Sequence, residues 1–267
     1  MNIIELLDKY FTIFSVIWTI ISASIGFFAT RWVYLSKRRI IQKSLSLKKC
    51  DCKIILSQYN KTLHNTRDKI PVCPIGDIQA AINVIDLIYA TGLYTNQQSI
   101  IYEGSYSDSF DNYNIFCIGG FLANNYSYTL FQQFFPNFKM YANREKVLTN
   151  PNGLPSSCFE ISEDIRGFCW GESPEQQFLI TEDERYAIIV KLTSADFNSQ
   201  THGTVHILFG NGIEGTLAIS KYLLYNYNDL YKMVKKRKDH YFIAFKLKKQ
   251  TMIIDPHSFV DLTKEMF

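Results

Sequence analysis

The sequence predicts an α/β fold: an N-terminal transmembrane helix, then a Rossmann-like, mainly parallel sheet flanked by helices, with an antiparallel edge at the C-terminus. Three observations predict it. Residues 10–30 carry no charge. Beyond residue 74, short apolar runs alternate with stretches of helical period, the pattern of strands joined by crossover helices. Two of those runs end in glycine turns that open directly onto a helical stretch, as βα units with ligand-facing ends do. The boundaries that follow are 1–36 for a transmembrane anchor, 37–73 for a basic helical neck and linker, and 74–267 for a cytoplasmic Rossmann-like domain.

The anchor comes first. The 21 residues 10–30 match the roughly 20 apolar residues that cross a bilayer as a helix. Glu5, Asp8 and Lys9 precede the span, and Arg31 with the cluster Lys37, Arg38, Arg39, Lys43, Lys48, Lys49 and Lys53 follows it. The positive-inside rule then places the N-terminus outside and the rest in the cytoplasm, as a single-pass protein of the inner (cytoplasmic) membrane. The acidic n-region and the long apolar stretch argue against a cleaved signal peptide. Within the span, Thr12, Ser15, Thr19, Ser22, Gly26 and Ala29 recur at spacings of 3, 4, 3, 4 and 3. All six are small or hydroxylated and share one helical face. Such a seam lets helix backbones approach, so a homo-oligomeric bundle is expected. A water-accessible pore and a tight bundle both satisfy it. Residues 32–59 read as a continued helix whose basic side chains contact anionic lipid headgroups or form a neck.

The soluble elements follow in order. Residues 60–73 read as a linker ending in Pro-x-Cys-Pro. Residues 74–90 read as a helix with Pro74 in its first turn and Gly92 as its stop. Strands are expected at 99–102, 113–118, 138–141, 186–192 and 205–209, and helices at 122–135, 214–225 and 229–236. Residues 143–184 read as strands and loops. Residues 241–247 and 251–254 read as a terminal hairpin, the antiparallel edge.

Composition narrows the function. Of 267 residues, 47% are hydrophobic and 15% aromatic, which suits a folded domain with a sizeable core. A net charge of +3 does not by itself imply nucleic-acid binding. Among six cysteines only Cys50 and Cys52 are close, and neither a second pair nor spaced histidines complete a zinc set. No metal and no cofactor is expected.

The sharpest local motif is Gly210-Asn211-Gly212-Ile213-Glu214-Gly215, followed by Thr216, between an expected strand and an expected helix. In that context Gly210 makes the tight turn, Gly212 admits a phosphate, and Gly215 lets the helix pack close to the strand. Two points count against a nicotinamide enzyme: the motif lies late in the chain, and Glu214 puts negative charge in the turn. A second turn, Gly119-Gly120, leads to Asn124, Asn125 and Ser127, which suit caps or ligand contacts. A third candidate is Ser105, in Gly104-Ser-Tyr-Ser. Turns at the ends of parallel strands can converge on one crevice. No Ser-His-Asp order, nucleophile elbow or paired carboxylate stands out, so no catalytic residue is assigned and a non-enzyme is the preferred reading.

This architecture, carried by the span 10–30 and the turns at Gly119-Gly120 and Gly210–Gly215, resembles the membrane effectors of prokaryotic nucleotide-signalling immunity. They include effectors of cyclic-oligonucleotide antiphage systems and of the Hailong system, and CRISPR-associated membrane proteins with a Rossmann-fold sensor. The resemblance is architectural. It implies antiviral defence through a head that senses a nucleotide or oligonucleotide and an oligomeric transmembrane bundle, acting as an ion channel or otherwise permeabilising the inner membrane. A nucleotidyltransferase of the same system would supply the ligand. It also implies that Asn124, Asn125, Asn211 and Thr216 contact the nucleotide. Two other classes stay open: a membrane-tethered enzyme cleaving or transferring glycosides of nucleotides, and a non-enzymatic membrane adaptor.

Overall fold

The computed structural model describes residues 3–48, 50–57, 59–62, 69–93, 100–102, 113–122, 124–148, 153–193, 195–197, 203–235 and 240–267. The protein is α/β. It begins with one helix, α1 (Ile3–Leu45), of 43 residues, long and apolar enough to cross a membrane. From Tyr10 to Leu35 its side chains are exposed. The six seam residues lie on that exposed stretch. Ser15 Oγ donates to Thr12 O and Thr19 Oγ1 to Ser15 O, each at 2.8 Å. These hydroxyl hydrogens are therefore used within the helix, and a cross-helix bond at these two residues would use their lone pairs.

The helical reading of residues 32–59 holds as far as Leu45. Beyond it the chain turns at Ser46 (φ 51°), where Leu47 N–H closes on Gln42 O at 3.1 Å. It then enters strand β1 (Asp51–Leu56). Cys52 to Leu56 are all buried. A strand covered on both faces shows no alternation, and the neighbouring lysines disguise it further. Lys53 is itself buried, with its ammonium 3.9 Å from the centroid of the Tyr113 ring. The expected linker forms a small hairpin of β2 (Tyr59–Thr62) and β3 (Lys69–Val72).

Then come α2 (Ile75–Ala90), β4 (Ile100–Tyr102), β5 (Tyr113–Ile118) and α3 (Asn125–Phe134). Gly92 (φ 68°) ends α2 as expected, its N–H bonding Tyr89 O at 2.9 Å. Next are β6 (Lys139–Ala142), α4 (Arg144–Leu148), β7 (Phe159–Ile161), β8 (Arg166–Cys169) and β9 (Gln177–Ile180). The chain closes with β10 (Glu184–Leu192), β11 (Val205–Gly210), α5 (Gly212–Tyr225), α6 (Tyr227–Val234), β12 (Tyr241–Lys248), β13 (Ile254–Asp261) and α7 (Thr263–Met266).

The main sheet has seven strands in the order β13-β12-β10-β11-β5-β1-β4. Pairings β4/β1, β1/β5 and β5/β11 are parallel. Pairings β11/β10, β10/β12 and β12/β13 are antiparallel. The sheet is thus evenly mixed, which corrects the expectation of a mainly parallel one. β10 is the strand responsible: its apolar run Tyr186–Leu192 is buried throughout, and burial on both faces does not encode direction. The C-terminal hairpin forms as expected, with its second strand later than residues 251–254. A second sheet, β7-β6-β8-β9, occupies the stretch 143–184 and its borders.

Two apolar layers cover the main sheet. On one face α2, α5 and α6 pack with the end of α1, through Ile41, Leu45, Val84, Leu87, Ile219, Leu223 and Leu230. On the other, α3 and the small sheet meet in a phenylalanine cluster. Phe131 makes edge contacts with Phe138, Phe209 and Phe242 at centroid distances of 5.1, 5.2 and 6.2 Å, each worth about 0.5–1.5 kcal/mol beyond area burial.

Candidate ligand cavity and its link to the first helix

The ends of three parallel strands are level: Leu56 of β1 pairs with Ile118 of β5, and Leu208 of β11 pairs with the same Ile118. From β1 the chain crosses through α2 to β4 on one side, whereas β5 lies on the other. Helix α2 covers one face and α3 the opposite one. The order therefore reverses between β1 and β5, the place where open α/β sheets bind ligands. A cavity of about 280 Å³ opens there, lined by Gly119, Gly120, Gly210, Asn211, Gly212 and Thr216 together with Asp77 and Lys146.

Both glycine turns thus face one cavity. Gly210 and Gly215 act by close approach: a Cβ at either would stand 2.4 Å from Tyr186 O. Gly215 packs α5 on the strand, as its spacing predicts, and does not line the cavity. Gly212 has φ 74° and starts α5. Asn211 caps that helix with no side-chain cap bond, and its N–H donates to Tyr186 O at 2.9 Å. The free N–H groups of α5's first turn and the Lys146 ammonium make this end of the cavity suited to an anion. Glu214 folds its carboxylate back over the turn, with Oε2 2.7 Å from where a Gly212 Cβ would be. It lies outside the lining, in the first turn of α5, where a carboxylate complements the helix dipole.

The second turn's polar residues are placed otherwise. Asn124 is buried; its Oδ1 accepts from Ser127 N at 3.1 Å and its Nδ2 donates to Ile55 O and Ile118 O at 3.4 and 3.3 Å. It caps α3 and ties β1 to β5. Ser127 Oγ donates to Gly119 O at 3.1 Å. Asn125 is exposed. None of the three lines the cavity. Ser105 lies outside the described residues.

The sequence reading missed Asp77 and Ser57. Asp77 sits in the first turn of α2 and lines the cavity while only 4% exposed. Ser57, directly after β1, donates its hydroxyl to Asp77 Oδ2. Gly119 makes room for the pair: at φ 98° its Cβ would stand 3.1 Å from Ser57 Oγ and 3.2 Å from Asp77 Oδ2. Burial pushes the Asp77 carboxyl above its ordinary value, opposed by the Ser57 hydrogen bond. An acid at a helix start reads as a dipole partner, and β1 was not recognised as a strand, so only the fold brings the two together. Among the described residues no group of three metal-ligating side chains gathers.

At the opposite end of β11 stands His206. Its Nε2 lies 3.0 Å from Leu45 O, the last carbonyl of α1. Because a carbonyl only accepts, Nε2 carries the hydrogen. The ring stacks on Phe116 at 4.8 Å. Lys191, paired with His206 across the sheet, donates from Nζ to Ser46 Oγ at 2.7 Å, and elsewhere on the last turns of α1 Gln42 Nε2 donates to Thr91 O at 3.0 Å. One strand thus carries the cavity at its C-terminal end and the end of α1 at its start.

Burial, reinforced by the Lys191 charge, lowers the His206 pKa from 6.5 to about 3. A depressed histidine pKa adds stability that is complete above the unfolded value and lost as pH falls from 6.5 toward 3. The melting temperature of the protein is therefore expected to fall between about pH 6.5 and pH 5, above the range where ordinary carboxylates titrate. His206→Gln, which can still donate to Leu45 O but does not titrate, is expected to flatten that slope. An equal slope in both proteins would count against this assignment.

Comparison with models of known protein families, with curated proteins and with solved structures gave no match.

Proposed function

We propose that this protein is a ligand-controlled membrane effector. Its head senses a nucleotide or oligonucleotide in the cavity at the ends of β1, β5 and β11, and ligand occupancy controls an oligomeric bundle of α1 helices that permeabilises the inner membrane in antiviral defence. In this reading the N-terminus is outside and the head is cytoplasmic. The parallel strands act as a Rossmann-like binding half, and a nucleotidyltransferase of the same system is the source of the ligand. The observation that carries the proposal is β11, which runs from the Gly210–Gly212 turn to the His206 contact with the last residue of α1. A ligand preferring one position of that strand would bias the helix it touches.

The seam supports self-association. At 100° per residue it lies roughly a quarter of a turn from the face that buries Ile41 and Leu45, so the head leaves it free for a second helix. Helix α2 also exposes Ile75, Ile78, Ile82 and Tyr89, an apolar stripe available for contact between heads.

The test is binding and leakage measured on the same full-length protein. In detergent, calorimetric titration with nucleotides and cyclic oligonucleotides should show saturable binding. In vesicles of anionic lipid, the bound ligand should change dye leakage, and Ser22→Leu with Gly26→Leu should suppress that change while leaving binding intact. No binding to any of these ligands removes the sensing half of the proposal. Unaltered leakage in the seam variant removes the bundle.

A further inference from the structure

The anion-suited end of the cavity accounts for only part of its chemistry. The same cavity is lined by Asp77, a carboxylate that is 4% exposed and meets no cation in an ion pair among the described residues. One of its oxygens, Oδ2, accepts from Ser57 Oγ. Among the described residues no donor reaches the other, although the side chain lines the cavity. As a cavity-lining carboxylate with acceptor capacity left beside its Ser57 bond, Asp77 suits a ligand that brings hydrogen-bond donors. A ligand that is anionic throughout would meet repulsion here, so free phosphate satisfies one end only. The ligand must carry an anion toward α5 and donors toward α2.

Size adds a limit. A cavity of about 280 Å³ lies at the lower edge of the usual range of roughly 300–1,000 Å³ for ligand pockets. It suits a sugar phosphate, with a base or further nucleotides outside. Vicinal ribose hydroxyls supply two adjacent donors, and a carboxylate with two acceptor oxygens receives them in the manner of acidic side chains that read ribose in dinucleotide folds. Gly119 keeps the approach clear, since any Cβ there would crowd both Ser57 Oγ and Asp77 Oδ2.

We propose that Asp77, oriented by Ser57, reads the ribose hydroxyls of a ligand whose phosphate lies at the start of α5, so that the cavity prefers ribose phosphates over their 2′-deoxy counterparts. This rests on the nucleotide-sensing reading and specifies its substrate class. Asp77 is the contacting residue and Ser57 a positioning residue.

The experiment titrates the full chain in detergent with AMP, GMP, CMP and UMP, with their 2′-deoxy forms, and with ribose 5-phosphate. At least one ribonucleotide is expected to bind about tenfold tighter than its deoxy form, the scale of one hydrogen bond to a charged group. Asp77→Asn is expected to weaken that ribonucleotide at least about tenfold and its deoxy form, which keeps the 3′-hydroxyl, by less, so that the two affinities converge. Ser57→Ala is expected to reduce discrimination partially. An unchanged melting temperature for Asp77→Asn shows that the fold is intact. Equal affinity for ribo and deoxy forms, or discrimination that survives Asp77→Asn, overturns the inference and leaves nucleotide sensing standing. Ribose 5-phosphate binding as tightly as any nucleotide supports the inference and argues against nucleotide sensing. No binding by any probe overturns both.

Discussion

Gly215→Val is expected to lower the melting temperature of the protein by roughly 10 °C and to abolish ligand binding at the cavity. A Cβ at Gly215 would stand 2.4 Å from Tyr186 O and 2.7 Å from Gly210 Cα. Both obstacles are main chain, of β10 and of the end of β11, so a rotamer change cannot relieve them. Overpacking a core costs typically about 1–3 kcal/mol, and a clash with backbone belongs at the upper end. At roughly 2–4 °C per kcal/mol for a protein of this size, the shift is large. Binding fails for a geometric reason: moving α5 off β11 displaces Asn211, Gly212 and Thr216, which line the cavity. Gly212→Ala is the control. Its φ of 74° makes alanine strained, but the nearest obstacle is the Glu214 carboxylate, which can swing away. A loss of about 1 kcal/mol is expected there. Thermal melts and titrations of both variants check the pair. Equal effects would mean that Gly215 is not the residue setting the distance between α5 and the sheet.

That contrast shows what the sequence discloses. Glycine spacing after an apolar run located β11, α5 and the cavity between them, because turn chemistry is local. Helix α2 was equally legible, with Pro74 before its first residue and Gly92 after its last. Strand β1 was not, since Cys52–Leu56 are buried on both faces and so lack any period. Missing β1 hid Ser57, and with it the reason for Gly119. The cap at Asn124 could be read, but its turn inward to Ile55 O depends on β1 lying alongside. Strand direction was illegible in β10 for the same reason as its face pattern: total burial erases alternation. Asp77 and Gly119 are far apart in the chain, and only the sheet order brings them to one crevice. The seam residues, by contrast, are visible in sequence alone. They are small and hydroxylated side chains that lipid does not require, and the proposed bundle would use them to meet a second helix.

The second large effect is expected at the junction. Leu45→Ala should cost about 2–5 kcal/mol, the range for a leucine removed from a packed core, because Leu45 is 1% exposed among residues of α2, α5 and α6. The functional expectation is more specific than the loss of stability. Helix α1 enters the head without an intervening linker: Ile41, Ser44 and Leu45 are buried in it, and Leu45 O meets His206 on the strand that ends at the cavity. If ligand acts by favouring one position of β11, its free energy reaches the membrane only while that contact is tight. A ligand moves an equilibrium by no more than its difference in affinity for the two states, so a junction that gives way absorbs that difference. Leu45→Ala, assayed below its lowered melting temperature, is therefore expected to bind ligand with native affinity yet lose the leakage response. Ser22→Leu should lose the response with melting and binding unchanged. Both variants would then be silent for different reasons, one cut off from the head and one unable to assemble, and cross-linking through the span separates them: dimers and higher species persist in Leu45→Ala and disappear in Ser22→Leu. A full ligand response in Leu45→Ala would mean that the signal does not pass through β11, and the coupling proposed for that strand would have to be abandoned.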